Sequence, residues 1–99
     1  MSGKLESKFQ AELIKDIQER FDGVIVTKLD SSHIQGIPDL LILYRDKWAT
    51  LECKKNAKAS HRPNQDYYVS TMDRMSFSRF VYPENKEEVL NDLQQAFES

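Results

Sequence analysis

The 99-residue chain contains a single cysteine, Cys53. That excludes an intrachain disulfide and a cysteine-built zinc cluster, and it fits a reducing cytoplasm, where a cytoplasmic protein is expected. Long apolar runs are also missing. None approaches the ~20 residues a membrane-spanning helix needs, and Met1 to Lys8 lacks the apolar stretch of a secretory leader, so no membrane partner is expected. An excess of basic residues is absent too. Fourteen Lys and Arg face sixteen Asp and Glu, a formal net charge of -2, which counts against a protein that coats nucleic acid indiscriminately. With no repeats, no low-complexity tract and no internal linker, one domain over residues 1–99 is expected. A domain this small buries only about two-thirds of its unfolded surface, so self-association is a natural way to add buried area.

What is present is ordered. Leu5, Phe9, Leu13, Ile14, Ile17 and Phe21 recur at helical spacing, predicting a helix from about Lys4 to Phe21 that ends at Asp22-Gly23. Val24 to Leu29 reads as a strand, and Asp30 to Pro38 as a loop. Asp39 to Tyr44 is almost continuously apolar, which predicts a strand buried on both faces. After a tight turn, Trp48 to Lys54 alternates as a third strand. Asn56 to Pro63 is a basic loop, and Pro63 suits the first position of a helix running to about Met75. Phe77 to Tyr82 is a fourth strand, and Lys86 to Phe97 a final helix that turns Val89, Leu90, Leu93 and Phe97 inward. The order α-β-β-β-α-β-α predicts an α/β fold with a mixed sheet flanked by helices.

The central hairpin carries the chemistry. If Arg45 and Asp46 form a two-residue turn, Tyr44 pairs with Lys47, and counting back sets Asp39 opposite Glu52. Opposed carboxylates in a sheet repel, and a shared divalent cation offsets that repulsion. Glu52 and Lys54 lie two residues apart and point to one face, while Ala49, Leu51 and Cys53 point to the other. The Cys53 main-chain carbonyl falls between the two polar side chains as a third oxygen ligand. Hard oxygen donors of this kind suit Mg²⁺ or Mn²⁺, and Lys54 beside the ion can assist an attacking water. The plain alternative is a cross-strand salt-bridge cluster without catalysis.

Gly36-Ile37-Pro38-Asp39, followed after twelve residues by Glu52-Cys53-Lys54, resembles the PD-(D/E)XK nuclease signature, and the element order resembles that superfamily's αβββαβ core. More closely, the chain resembles the stand-alone phage and bacterial VRR-NUC nucleases through Glu6, Gly36-Ile37-Pro38-Asp39-Leu40, Glu52-Cys53-Lys54 and Gln65. The resemblance covers essentially the whole chain. It implies a Mg²⁺-dependent endonuclease from a phage or prophage, acting as a homodimer on branched DNA such as four-way (Holliday) junctions. Asp39 and Glu52 would bind metal, Glu6 would be an outer ligand, Lys54 would assist the water and Gln65 would support the site. Glu6 also stands out on geometry. At 100° per residue the apolar face of the first helix centres about 95° from Leu5, and Glu6 sits at about 100°, so it is aimed at the interior and needs a partner.

Lys54, Lys55, Lys58, His61 and Arg62 cluster in nine residues with no acid among them. Beside such a site Lys55, Lys58, His61 and Arg62 would contact the phosphate backbone. Ser60 and Asn64 would cap the following helix and touch phosphate as well. His33 and His61 have no mutual metal-ligand spacing, so they read as surface loop residues rather than as zinc ligands or general bases. Cys53 reads as a small core residue. Of Tyr67 and Tyr68, one is expected to pack inward and one to lie at the surface, and Trp48 and Phe77 belong to the core or an interface. Two rivals stay open: a non-catalytic DNA-binding module, and a general or restriction-type nuclease without junction preference.

Overall fold

The computed structural model describes residues 2–99. The helical spacing at the start of the chain becomes α1 (Ser2–Arg20), with Phe9, Leu13 and Ile17 buried along one stripe and Phe21 buried just past its end. The chain reverses at Gly23, whose φ of 82° lies in the left-handed region that glycine enters without steric cost. β1 (Ile25–Lys28), β2 (Leu40–Tyr44) and β3 (Lys47–Cys53) then form an antiparallel meander. β4 (Ser78–Val81) joins parallel to β3, giving the sheet order β1-β2-β3-β4. A parallel step needs a crossover, and α2 (Pro63–Met75) supplies it. A short 3-10 turn over Pro83–Asn85, absent from the expected order, leads into α3 (Lys86–Glu98).

One face of the sheet turns Leu40, Ile42, Tyr44, Ala49, Leu51 and Cys53 into a single core with the apolar stripes of α1 and α3. Phe21, Tyr44 and Phe97 meet there with ring centroids 5.2–5.4 Å apart. Leu13, Ile17 and Leu93 are fully buried, and each contributes about 1.5–3 kcal/mol relative to an exposed side chain. α2 packs on the opposite face, against β3 and β4. There Thr50 Oγ1 donates to Ser78 Oγ at 2.8 Å and meets Met72 Sδ at 3.5 Å.

The burial of β2 corrects one expectation. Leu40, Ile42 and Tyr44 are buried, but Leu43 is 38% exposed and Leu41 only half-buried. α2 is a single helix and covers the β3–β4 half of its face, so the β1–β2 half stays open, with Ile25 at 60% exposure. Composition reports that a strand is apolar; how many helices lie over it is a tertiary fact.

Candidate active site

The site sits at the end of the sheet where β2 begins and β3 finishes. Tyr44 pairs with Lys47 and Leu40 with Leu51, so one further step sets Asp39 opposite Glu52, as the turn predicts. Asp39 is held from both sides. Its Oδ2 accepts from the Cys53 amide at 2.8 Å, and its main-chain oxygen accepts from the Leu29 amide at 2.9 Å. In an extended strand the N–H and C=O of one residue point the same way, so the Cys53 carbonyl also faces the Asp39 side. The Lys54 amide points oppositely, to the Val81 oxygen at 2.8 Å.

Glu52 is only 3% exposed. Its Oε2 accepts from Gln65 Nε2 at 2.9 Å, whereas Oε1 is buried with no hydrogen-bond partner among the described residues. Lys54, also buried, donates from Nζ to Gln65 Oε1 at 2.7 Å and to the Ser60 carbonyl at 3.1 Å. Its 3.9 Å approach to Glu52 Oε2 is an ion pair, too long for a hydrogen bond. An ammonium has three donors, and these two bonds leave one for a further acceptor. Gln65 is therefore the hinge of the site. It stands at the third position of α2, and its Oε1 also accepts from the Arg62 amide at 3.1 Å, the side chain reaching back over the helix start. The N-cap is Arg62, not Ser60 or Asn64. Ser60 instead gives its carbonyl to Lys54, and Asn64 lies inside the first turn of α2.

Glu6 reaches this end of the sheet from α1. One turn further along α1, the Gln10 side chain lies near the Cys53 thiol and opposes the effect of its burial. Glu6 is half-buried and lines a cavity with Lys54 and Lys55. The three carboxyls strain against one another. Burial first, then the Asp39 and Glu6 charges, push the Glu52 carboxyl up to about 8, against the opposing pull of Lys54. Burial also raises Asp39, offset in part by the Cys53 amide, Lys54 and Lys28. Burial and Asp39 together raise Glu6. The Cys53 thiol is pushed up by burial and stays protonated, in keeping with a core residue.

A divalent cation fits this chemistry. A buried carboxylate oxygen without a partner among the described residues, next to a second acid held by the neighbouring strand, is a site short of positive charge. Among the described residues no three His, Cys, Asp or Glu side chains gather as a ready-made cage. An ion here would take the Asp39 and Glu52 carboxylates and complete its shell with the Cys53 carbonyl and water, a donor set suited to Mg²⁺.

Two cavities open on the site. The larger, about 810 Å³, is lined by Lys54, Lys55, Lys58 and Arg62 with Asn56, Ser60, Gln65 and Glu6. The smaller, about 250 Å³, is lined by Asp39, Glu52, Arg62, Asn64 and Gln65 and by the Ser31–Ile37 loop. Arg62 and Gln65 belong to both. Of the expected DNA-contacting residues, Lys55, Lys58, Ser60 and Arg62 line the first and Asn64 the second. His61 lines neither; its ring is turned onto Phe80. His33 is an exposed loop residue, Tyr67 is exposed and Tyr68 half-buried. Gln10, Asp66 and Phe80 complete the surroundings and carried no signal in the sequence: Gln10 and Phe80 meet residues distant in the chain, and Asp66 is an ordinary first-turn acid of α2 until His61 turns onto it.

The loop that delivers Asp39 rests on α2 through Gly36. Its φ is 90°, and a Cβ built there would meet Asn64 Cγ at 2.7 Å and the Asn64 main-chain carbon at 2.8 Å. Gly36→Ala thus combines a disallowed backbone with a clash against backbone. It is expected to destabilise the fold by roughly 2–4 kcal/mol and to displace Asp39. Urea unfolding of the variant beside the wild type checks the loss.

Compared with protein-family models, with curated proteins and with solved structures, the chain shows no significant match.

Proposed function

We propose that this chain is a metal-dependent nuclease that hydrolyses DNA phosphodiester bonds at Asp39, Glu52 and Lys54. The observation that carries the reading is the Glu52 carboxylate: buried, with one oxygen unsatisfied, faced by Asp39 and flanked by an oriented ammonium. Bound there, a divalent cation supplies Lewis acidity and a water of lowered pKa. The chain's own groups do the rest. Asp39 and Glu52 would hold the ion. Lys54, fixed by Gln65 and Ser60, points its remaining N–H at the attacking water or at a phosphoryl oxygen as charge builds there. The attacking water gives up a proton to solvent as it forms one P–O bond, one P–O ester bond breaks, and the departing oxygen takes up a proton from solvent. The cationic cavity offers the phosphate backbone a bed beside the reacting bond.

The resemblance to PD-(D/E)XK and stand-alone VRR-NUC nucleases supports the same reading. Its five positions, Glu6, Asp39, Glu52, Lys54 and Gln65, meet at one end of a sheet whose elements follow the αβββαβ order. On that likeness we further propose a homodimer that cuts branched DNA, since a C2 pair presents two sites for two strands. Incubation with supercoiled plasmid and Mg²⁺ or Mn²⁺ tests the activity. Nicking that EDTA abolishes is expected; binding without cutting in either ion would leave a DNA-binding module in its place. Cutting a four-way junction and a linear duplex of the same sequence at equal rates would remove the branch preference.

The basic cavity makes its own prediction. Each phosphate neutralised by a Lys or Arg contributes about 0.9 to the slope of log K against log salt. Changing Lys55, Lys58 and Arg62 together to Ala is expected to flatten that slope by roughly 2–3. A filter-binding series from 50 to 300 mM salt measures it, and an unchanged slope would place the phosphates elsewhere.

A further inference from the structure

We infer that His61 is a positioning residue: with Asp66 and Phe80 it forms a latch that fixes the basic loop and, through that loop, the Lys54 ammonium. The inference rests on the nuclease reading for what the latch accomplishes, but not for the latch itself. Lys54 carries its ammonium on a flexible four-carbon stem, and one of its two hydrogen-bond acceptors is the main-chain carbonyl of Ser60. Ser60 lies in a segment without regular structure, from Lys54 to Arg62. Something must keep that carbonyl still.

The neighbouring ring does so. His61 stacks on Phe80 with centroids 3.9 Å apart and planes 18° from parallel. Its Nδ1 donates to Asp66 Oδ1 at 3.0 Å. One anchor lies on the strand that pairs with β3 and the other on α2. Phe80 is the β4 partner of Glu52 in the parallel register, so the two side chains share a face of the sheet. Asp66 follows Gln65 on α2. On the other side of His61, the Arg62 amide donates to Gln65 Oε1. The rest of the loop is weakly tied. Lys58 and Ala59 bond back to Asn56 within the loop itself, and the Ala57 amide reaches Glu84 only at an exposed 3.4 Å. With its ring spent on Phe80 and Asp66, His61 lies outside both cavities and acts on the reaction only through what it holds in place.

The test uses the full chain carrying His61→Ala, His61→Phe or Asp66→Ala, with three readouts and the thermal midpoint as a control for folding. The first is trypsin cleavage after Lys55 and Lys58 in the absence of DNA, which tracks how often the loop opens. The second is kcat for plasmid nicking. The third is DNA affinity with Ca²⁺ in place of Mg²⁺. For His61→Ala we expect about tenfold faster trypsin cleavage and kcat lowered by tenfold or more, with affinity within about twofold and a folded protein at assay temperature. His61→Phe keeps the stack and should fall between Ala and wild type; Asp66→Ala should move both rates the same way. Weakened affinity with unchanged kcat would make the ring a phosphate contact and overturn the inference, as would unchanged trypsin cleavage. If the wild-type chain does not cut DNA, the nuclease reading fails, and trypsin still decides whether the ring holds the loop.

Discussion

Changing Glu52 to Gln is expected to abolish Mg²⁺-dependent cleavage, by 10³-fold or more, and at the same time to stabilise the metal-free protein. Both effects come from one buried carboxylate. Its carboxyl is pushed from 4.5 up to about 8 in the fold, so the folded state binds this proton more tightly than the unfolded chain. Stability is therefore greatest below the unfolded value and falls as pH rises from about 4.5 towards 8, by at most ~1.4 kcal/mol per pH unit. Glu6 and Asp39, both also raised, add to the same slope. Gln removes the ionisation while its oxygen can still accept from Gln65 and its amide can donate towards Asp39. In EDTA at pH 8 the variant should gain about 1–2 kcal/mol, roughly 5–10 °C in midpoint for a domain this size. Wild type should recover that difference on adding Mg²⁺, because an ion that binds only the folded state stabilises it by mass action; Glu52→Gln should not respond. Thermal melts from pH 5 to 9, with and without Mg²⁺, read the whole pattern. A wild-type stability that climbs between pH 5 and 8 in EDTA contradicts the electrostatics drawn here.

Lys54→Met should separate chemistry from metal binding. Met fills nearly the same volume as the lysine stem and lacks the ammonium. Gln65 Oε1 keeps the Arg62 amide as a donor, and the Ser60 carbonyl can turn to water, so the structural loss is small. The kinetic loss is large: a positioned proton donor or cationic partner in the transition state contributes typically 10²–10⁴-fold. The expected outcome is kcat lowered about 10³-fold, with the Mg²⁺-induced rise in thermal midpoint retained. Glu52→Gln loses both cleavage and the Mg²⁺ response; Lys54→Met loses only cleavage. If Lys54→Met cuts at wild-type rate, the ammonium serves only to balance charge around Glu52 and the three residues form a structural cluster.

Much of the site was legible because β-structure is arithmetic. A two-residue turn fixes which residues face each other, so Asp39 falls opposite Glu52 without reference to anything distant, and the alternation of β3 assigns Lys54 to the same side. Pro63 likewise marks the start of α2 whatever lies around it. The failures share a different cause. The open outer face of β2 depends on a single helix covering only half of the sheet. Ser60 and Asn64 look like helix caps by residue type, yet the cap falls at Arg62 because Gln65 reaches back to its amide while Asn64 is pressed against Gly36 from a distant loop. His61 resembles an ordinary basic-loop residue until Phe80, nineteen positions later, is brought under its ring by the parallel pairing of β3 and β4.

The nuclease account stands on two acids from adjacent strands sharing a cation. Crystals grown with Mn²⁺, with data collected at the manganese edge, examine that directly. The account predicts an anomalous peak about 2.0–2.4 Å from a carboxylate oxygen of both Asp39 and Glu52, with Lys54 Nζ still bonded to Gln65. Manganese bound only elsewhere, or a Glu52 Oε1 satisfied by some other group with no ion present, would contradict it.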